Sequence, residues 1–285
     1  MRRIGILAAV LALLFPVLTA AEAPPVYEVT GTGAVYASDT LRYAIEIGLL
    51  NDTKVYLISV WMQDPGRQIR KVTAPWHEGL ERSQDLAARI PSAALAVNGS
   101  GYVSPLYPEI PENYPGTSPD YYYTPLGSLA ITDGELLRDL EDVPYYGLTL
   151  EEDGLHMYVG EDNRTVLSAG PTQTWSFYEG CPLILYGEDL LDRTWPFALR
   201  SAARTIIARM DEHSYVLLIV TSFHGLPLTT CVDFLKVLNP EWVYNLDGGP
   251  STALIRRLRG SRSQKLIYGS RQKVFDVMCF TELGD

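Results

Sequence analysis

Hydrophobic positions fall mostly in short runs broken by Gly, Pro, Asn and Asp. Short runs rich in Val, Ile, Tyr and Trp predict strands rather than helices. Residues 26–62 read as consecutive strands. Tyr43-Ala-Ile-Glu-Ile-Gly-Leu alternates in part, and Val55-Tyr-Leu-Ile-Ser-Val-Trp is β-branched and aromatic, with Asn51-Asp52 as the turn before it. The apolar run Ala93–Asn98 predicts a buried strand that leads into Gly99 and Gly101. Residues 127–137 carry a hairpin signal with Asp133-Gly134 as the two-residue turn. Further strands are expected at 156–159, 165–168, 174–178 and 183–186, and the acidic stretch 139–153 reads as a solvated edge. In the last third, 204–210 and 215–221 make a hairpin across Asp211-Glu-His. Residues 242–247 form a central strand, and 273–280 close the chain as another. Helical spacing is confined to 82–90 and to 229–238, where Val232, Leu235 and Leu238 share a face and Pro240 ends the helix. The expected class is α+β: a strand-rich, mixed-sheet core with a few short helices. No repeat or linker divides residues 24–285, which read as a single domain.

Two segments depart from this pattern. Residues 1–23 combine Arg2 and Arg3, an apolar run from Ile4 to Leu18 and small residues at Ala20, Ala21 and Ala23. That is the pattern of a secretory signal peptide, and the run is short of the ~20 residues that span a bilayer. The expectation is a secreted or extracytoplasmic protein that meets a membrane only if this segment stays uncleaved. Residues 102–125 hold six Tyr and six Pro. Pro cannot donate to a ladder, so this is a long ordered loop, either a lid with stacking faces or a surface cover packed by its own rings.

Composition narrows the function. The 285 residues carry a net charge of −11, which argues against nucleic-acid binding. At 47% hydrophobic the chain can bury a real core. Cys181, Cys231 and Cys279 stand far apart with no Cys-x-x-Cys, so no zinc site is indicated and three buried thiols are expected. Asn51, Asn98 and Asn163 head Asn-x-Ser/Thr triplets, which matter only in a glycosylating host.

The sharpest chemical feature is Asn245-Leu-Asp-Gly-Gly-Pro-Ser-Thr252. A buried strand delivers the Asp247 carboxylate into a Gly-Gly turn. Glycines let the backbone approach a ligand, and successive N–H groups in such a turn can form an anion-binding concavity. Ser251 and Thr252 add hydroxyl donors. Asp247 is thus offered for proton transfer beside donors for an oxyanion; the structural alternative is an Asp that bonds its own turn.

Residues 204–255 resemble the core of the phosphodiester glycosidase family. The family's strand ending in Asn-Leu-Asp-Gly-Gly-Gly-Ser-Ser/Thr is matched by residues 245–252, with Pro250 at the third Gly. Its preceding Arg-Thr strand is matched by Arg204-Thr205, and its Gly-leucine turn and helix by Gly225-Leu-Pro-Leu and 229–238. Its upstream Asn-Gly-Gly-aromatic motif stands here as Asn98-Gly-Ser-Gly-Tyr102, one residue out of step. The resemblance covers residues ~90–281.

It implies a secreted hydrolase of sugar-1-phosphodiesters whose active loop lies at a strand's C-terminal end. Asp247 would be base or nucleophile at the anomeric carbon. Arg204, the Gly248 and Gly249 amides and Ser251 would hold phosphoryl oxygens. Asn98, Asn245, Thr205, Thr252 and His224 complete the expected substrate-binding set. Arg204 could instead be an ion-pair partner of Asp247. For a second carboxylate the candidates are Glu109, Glu112 and Asp120. No cofactor is required, while Asp247 admits Ca²⁺ or Mg²⁺. The alternatives are a non-catalytic carbohydrate-binding or exopolysaccharide-assembly protein on the same fold, and a hydrolase of another glycosidic linkage. Residues 256–273 gather five Arg and two Lys, either a docking face for an anionic polymer or a hairpin balancing the acidic 133–153 region.

Overall fold

Hairpin turns set the architecture. Asn51 and Asp52 take positive φ (45° and 62°), as do Asp133 and Gly134 (51° and 78°), the backbone that tight hairpins require. The computed structural model describes residues 25–103, 122–258, 263–269 and 272–284. The first third runs β1 (Tyr27–Ala37), β2 (Leu41–Leu50), β3 (Thr53–Met62), helix α1 (Pro65–Gln68), β4 (Ile69–Thr73), β5 (Glu81–Arg82), helix α2 (Ser83–Ala87) and β6 (Ala93–Asn98). The middle adds β7 (Leu129–Thr132), β8 (Glu135–Asp139), β9 (Tyr145–Glu151), β10 (Gly154–Glu161), helix α3 (Asn163–Ser168), β11 (Gln173–Ser176), β12 (Pro182–Leu185), β13 (Glu188–Asp189) and helix α4 (Pro196–Leu199). The last third holds β14 (Arg204–Arg209), β15 (Ser214–Val220), helix α5 (Leu228–Lys236), β16 (Trp242–Asn245), β17 (Ala253–Arg257), β18 (Gln264–Gly269), β19 (Lys273–Val274) and β20 (Asp276–Thr281).

An eight-stranded sheet runs β1-β2-β3-β15-β14-β16-β12-β13, and a five-stranded sheet runs β18-β17-β6-β20-β4. Its central strands are covered on both faces, which is why they read as unbroken apolar runs. In β14 and β15, Ile207, Leu217 and Ile219 pack with Leu95, Val97, Met278 and Phe280 of the five-stranded sheet. Their neighbours Ile206, Leu218 and Val220 turn the other way, onto Leu228, Val232 and Leu235 of α5. Burying side chains of this size stabilises by roughly 1.5–3 kcal/mol each. The two sheets are thereby locked face to face, and the ends of β6, β14, β16 and β20 come together.

The strand-rich core with few short helices is as expected, but the strand pairings described are antiparallel throughout rather than mixed. Residues 165–168 are helical, not extended. The Asp162 side chain accepts from the Arg164 amide at 2.7 Å and caps the turn, and buried Asn163 anchors it to Asp139 at 2.7 Å. The 139–153 stretch is not a solvated edge. Its middle is β9, the central strand of a three-stranded sheet β10-β9-β11, with Tyr145, Leu148 and Leu150 buried and the acidic residues at the strand ends. The closing strand breaks at Phe275 into β19 and β20.

Cys181, Cys231 and Cys279 are buried free thiols. Asn98 and Asn163 are buried, so of the three Asn-x-Ser/Thr triplets only Asn51 is exposed. Among the described residues no helix is long and apolar enough to cross a membrane. Residues 1–24, where a signal peptide is expected, most of the Tyr/Pro stretch and Arg259, Arg262 and Arg271 lie outside the described residues.

Candidate active site

The 246–252 loop bridges the two large sheets. Leaving β16, Leu246 donates its amide to Thr205 O of β14 at 2.9 Å, and Asp247 donates to Gly99 O beyond β6 at 3.0 Å. Asn98, fully buried, clamps the crossing. Its Nδ2 donates to Asp247 O at 2.8 Å, while its Oδ1 accepts from Thr205 Oγ1 at 2.7 Å and from the Ala253 amide at 2.9 Å. One side chain thus ties β6, β14 and β17 to the loop. Asn245 is buried too, donating its amide to Cys181 O at 2.9 Å and pointing Nδ2 at Cys181 Sγ. Thr252 is likewise buried.

The turn itself is a single 3-10 turn over Gly249–Ser251, with Gly249 at φ 57°. That backbone suits Gly and disfavours any side chain. Pro250 sits near the start of this turn, where its fixed φ is tolerated, so the departure from the family's third Gly costs the loop little.

Asp247 lies partly exposed on the wall of a cavity of about 310 Å³. Burial pushes its carboxyl from an ordinary 3.8 up to about 7. Hydrogen bonds from the Ser251 side chain and the Gly248 amide pull the other way, and the charge of Asp276 adds to the rise. Asp276 stands behind the loop at the start of β20, fully buried. It accepts from the Ser100 amide at 2.7 Å and pairs with Lys71 Nζ at 3.3 Å. Gly99 is squeezed against it: a Cβ there would lie 1.8 Å from Asp276 Oδ1. The Asn98-Gly99 pair is therefore fixed by close approach, whatever the ligand.

The expected ring of free amides does not form. Gly248 donates to Asp247 Oδ1 at 2.8 Å, and Gly249 donates to Ala203 O at 2.8 Å. Both glycines border the cavity, as does Ser251, but their N–H groups are engaged within the protein. Arg204 also differs from expectation. It borders the cavity, yet its Nη2 donates to Arg200 O at 2.7 Å and Phe197 O at 3.0 Å, its Nε to Leu226 O at 3.4 Å, and its guanidinium lies over the Phe197 ring. Burial lowers it to about 10, so it stays charged at neutral pH. It forms no ion pair with Asp247.

The structure therefore brings Asp247, Arg204, Gly248, Gly249 and Ser251 to the cavity and sets Asn98, Thr205, Asn245 and Thr252 behind it as bracing. It does not bring His224, which is exposed in the turn before Gly225, edge-on to Phe223 with ring centroids 4.4 Å apart. Glu109, Glu112 and Asp120 lie outside the described residues. Among those described, Glu151, Asp153 and His156 are grouped closely enough to hold a cation, but they sit at the β9–β10 turn and do not border the cavity.

Sequence reasoning missed much of the wall. Tyr178, Phe197, Arg200 and Gln272 line it. Phe177, Tyr178, Trp195 and Phe197 form an aromatic cluster with centroids 4.3–6.2 Å apart. Tyr178 is pushed up to about 12 by burial and by the charge of Asp247. The available signal was Trp195-Pro-Phe197 with Arg200 four residues before Arg204; only the fold turns those residues toward Asp247.

A phosphodiester glycosidase family profile matches residues 92–281, two-thirds of the chain. The chain belongs to that family. Two solved structures share the fold. The zebrafish N-acetylglucosamine-1-phosphodiester alpha-N-acetylglucosaminidase catalytic domain, auto-inhibited by its pro-peptide, is 19% identical, with a TM-score of 0.64 over 91% of this chain and 89% of that one. A hypothetical protein from Synechocystis is 12% identical, with a TM-score of 0.58 over 92% of this chain and 64% of that one. No curated protein matches the sequence.

Proposed function

We propose that this phosphodiester glycosidase is an extracytoplasmic hydrolase of sugar-1-phosphodiesters in glycoconjugates or envelope polysaccharide. The observation that carries the reading is Asp247: a carboxyl on the wall of an aromatic-lined cavity, poised at about 7. A group that titrates near the working pH is suited to proton transfer. Hydrolysis adds water to the anomeric carbon and breaks its bond to the phosphate oxygen, releasing free sugar and a phosphomonoester. Phosphate leaves as a stable anion, so the demand falls on a carboxylate at the carbon and on positive charge at the phosphate rather than on a strong acid. Ionised Asp247 acts as base or nucleophile, and the aromatic wall of Phe177, Tyr178 and Phe197 offers a face for the sugar ring.

Asp247→Asn keeps the size and the bond to the Gly248 amide. Assayed on a sugar-1-phosphodiester, it is expected to lose at least about 10³-fold in kcat, because the acid–base group itself is gone. Parallel assays with a chelator report any cation requirement. Full turnover by a folded Asp247→Asn variant removes Asp247 from the mechanism. A wild-type protein that binds the sugar and never turns it over removes the enzymatic reading.

A further inference from the structure

The cavity carries positive charge in an acidic protein. Its described lining includes two arginines and one carboxylate. Arg204 is committed: three of its N–H groups donate to backbone carbonyls, two of them at the end of α4. That is how a cation holds the last carbonyls of a helical turn, and here it fixes the turn from which Arg200 emerges. Arg200, on the same wall, is not so committed. Its side chain is exposed, and among the described residues it makes no ion pair or side-chain hydrogen bond. It shares the cavity wall with Asp247 and Tyr178, close enough to Tyr178 for its charge to act on the phenol. Arg193, Arg209 and Arg257 are taken up by carboxylates, whereas the exposed Arg70 and Arg82 are, among the described residues, as unpaired as Arg200 but do not border the cavity. What distinguishes Arg200 is that its uncommitted donor fork stands on the cavity wall with Asp247. A guanidinium presents paired N–H groups that match two oxygens of one phosphoryl group.

We propose that Arg200 receives the phosphoryl oxygens of the substrate, making it the residue that selects a sugar-1-phosphodiester over an uncharged glycoside. The inference rests on the functional reading above and moves the phosphate contact from the glycine amides and Arg204 to a residue outside the family motif. Asp247 then faces the anomeric carbon from one wall while Arg200 holds the departing phosphate from another. The negative charge that develops on the phosphate oxygen as the bond breaks is met by a cation already in position.

The test uses the full chain and two variants, Arg200→Gln and Arg200→Lys, with inorganic phosphate as the binding probe. Arg200 is exposed and makes no ion pair or side-chain hydrogen bond among the described residues, so both variants are expected to melt within a few degrees of wild type. In calorimetric titration, Arg200→Gln should weaken phosphate binding about 10- to 100-fold, as expected for loss of a hydrogen-bonded charge, and Arg200→Lys should recover part of it. The ratio of kcat/KM on a sugar-1-phosphodiester to that on a nitrophenyl glycoside of the same sugar should fall by a similar factor in Arg200→Gln. Equal phosphate affinity in wild type and Arg200→Gln, or no phosphate binding by wild type, overturns the inference. A wild type that binds phosphate through Arg200 but hydrolyses no sugar-1-phosphodiester overturns the proposed activity and leaves the phosphate site standing.

Discussion

Asn98 shows how little of a residue's role its type reveals. In sequence it stands before a glycine and suggests a turn or a sugar ligand. In the fold it is fully buried and makes three hydrogen bonds to three segments. Its partners come from residues 205, 247 and 253, so nothing local discloses them. The place of Asp247 at the cavity, by contrast, was legible: a carboxylate, two glycines and a hydroxyl lie within five residues at a strand end. The Gly248 amide failed as a predicted donor because Asp247 bonds its own turn, the structural alternative the sequence offered, and the Gly249 amide because its acceptor, Ala203 O, comes from the segment that leads into β14. Replacing Asn98 by Ala leaves Thr205 Oγ1, the Ala253 amide and Asp247 O without their partner in a closed interior. We expect a loss of about 2–4 kcal/mol in urea unfolding, since each orphaned buried group costs on the order of 1–3 kcal/mol and the effects are not additive.

Elements were readable where a pattern has one interpretation. The β14–β15 hairpin, α5 and β16 all stand where the runs predict them, because long apolar segments between turn residues leave few choices. Residues 165–168 misled because Thr-Val-Leu has strand character, while the Asp162 cap decides for helix. The acidic 139–153 stretch misled because charge at the ends of a strand says nothing of its middle. The element that most supports the site is β20. Its first residue, Asp276, is buried with Lys71 of β4 as its cation and the Ser100 amide as its donor. Burial lowers the Lys71 ammonium, and the Asp276 charge opposes that fall. Lys71→Met strands a carboxylate in the core and should cost about 3–5 kcal/mol. Pairing it with Asp276→Asn should recover part of the loss, which chemical unfolding of the single and double variants will measure. Equal stability of Lys71→Met and wild type would show that the pair carries no such penalty.

On the scale of the molecule, the fold sets two sheets face to face so that one loop spans them, and the cavity opens where that loop crosses. The protein as a whole is acidic, with a net charge of −11; at the cavity, arginines outnumber carboxylates among the described lining residues. In the basic 256–273 segment, which the sequence offered as either a docking face or a hairpin balancing the acidic 133–153 region, Arg257 is engaged by Glu282 and Tyr36, and Arg256, Lys265 and Lys273 are the other described cations. The central claim is that ionised Asp247 does the chemistry in a site that holds its carboxyl near neutrality. Because folding raises this carboxyl from 3.8 to about 7, the reactive anion is scarce at pH 5 and predominates only above about 7. The measurement that tests this most directly is kcat/KM for a sugar-1-phosphodiester across pH 5 to 9. The account predicts a rate that climbs with pH through a single inflection near 7 and then levels. A rate that is flat from pH 5 upward, or that falls as pH rises through 7, contradicts it.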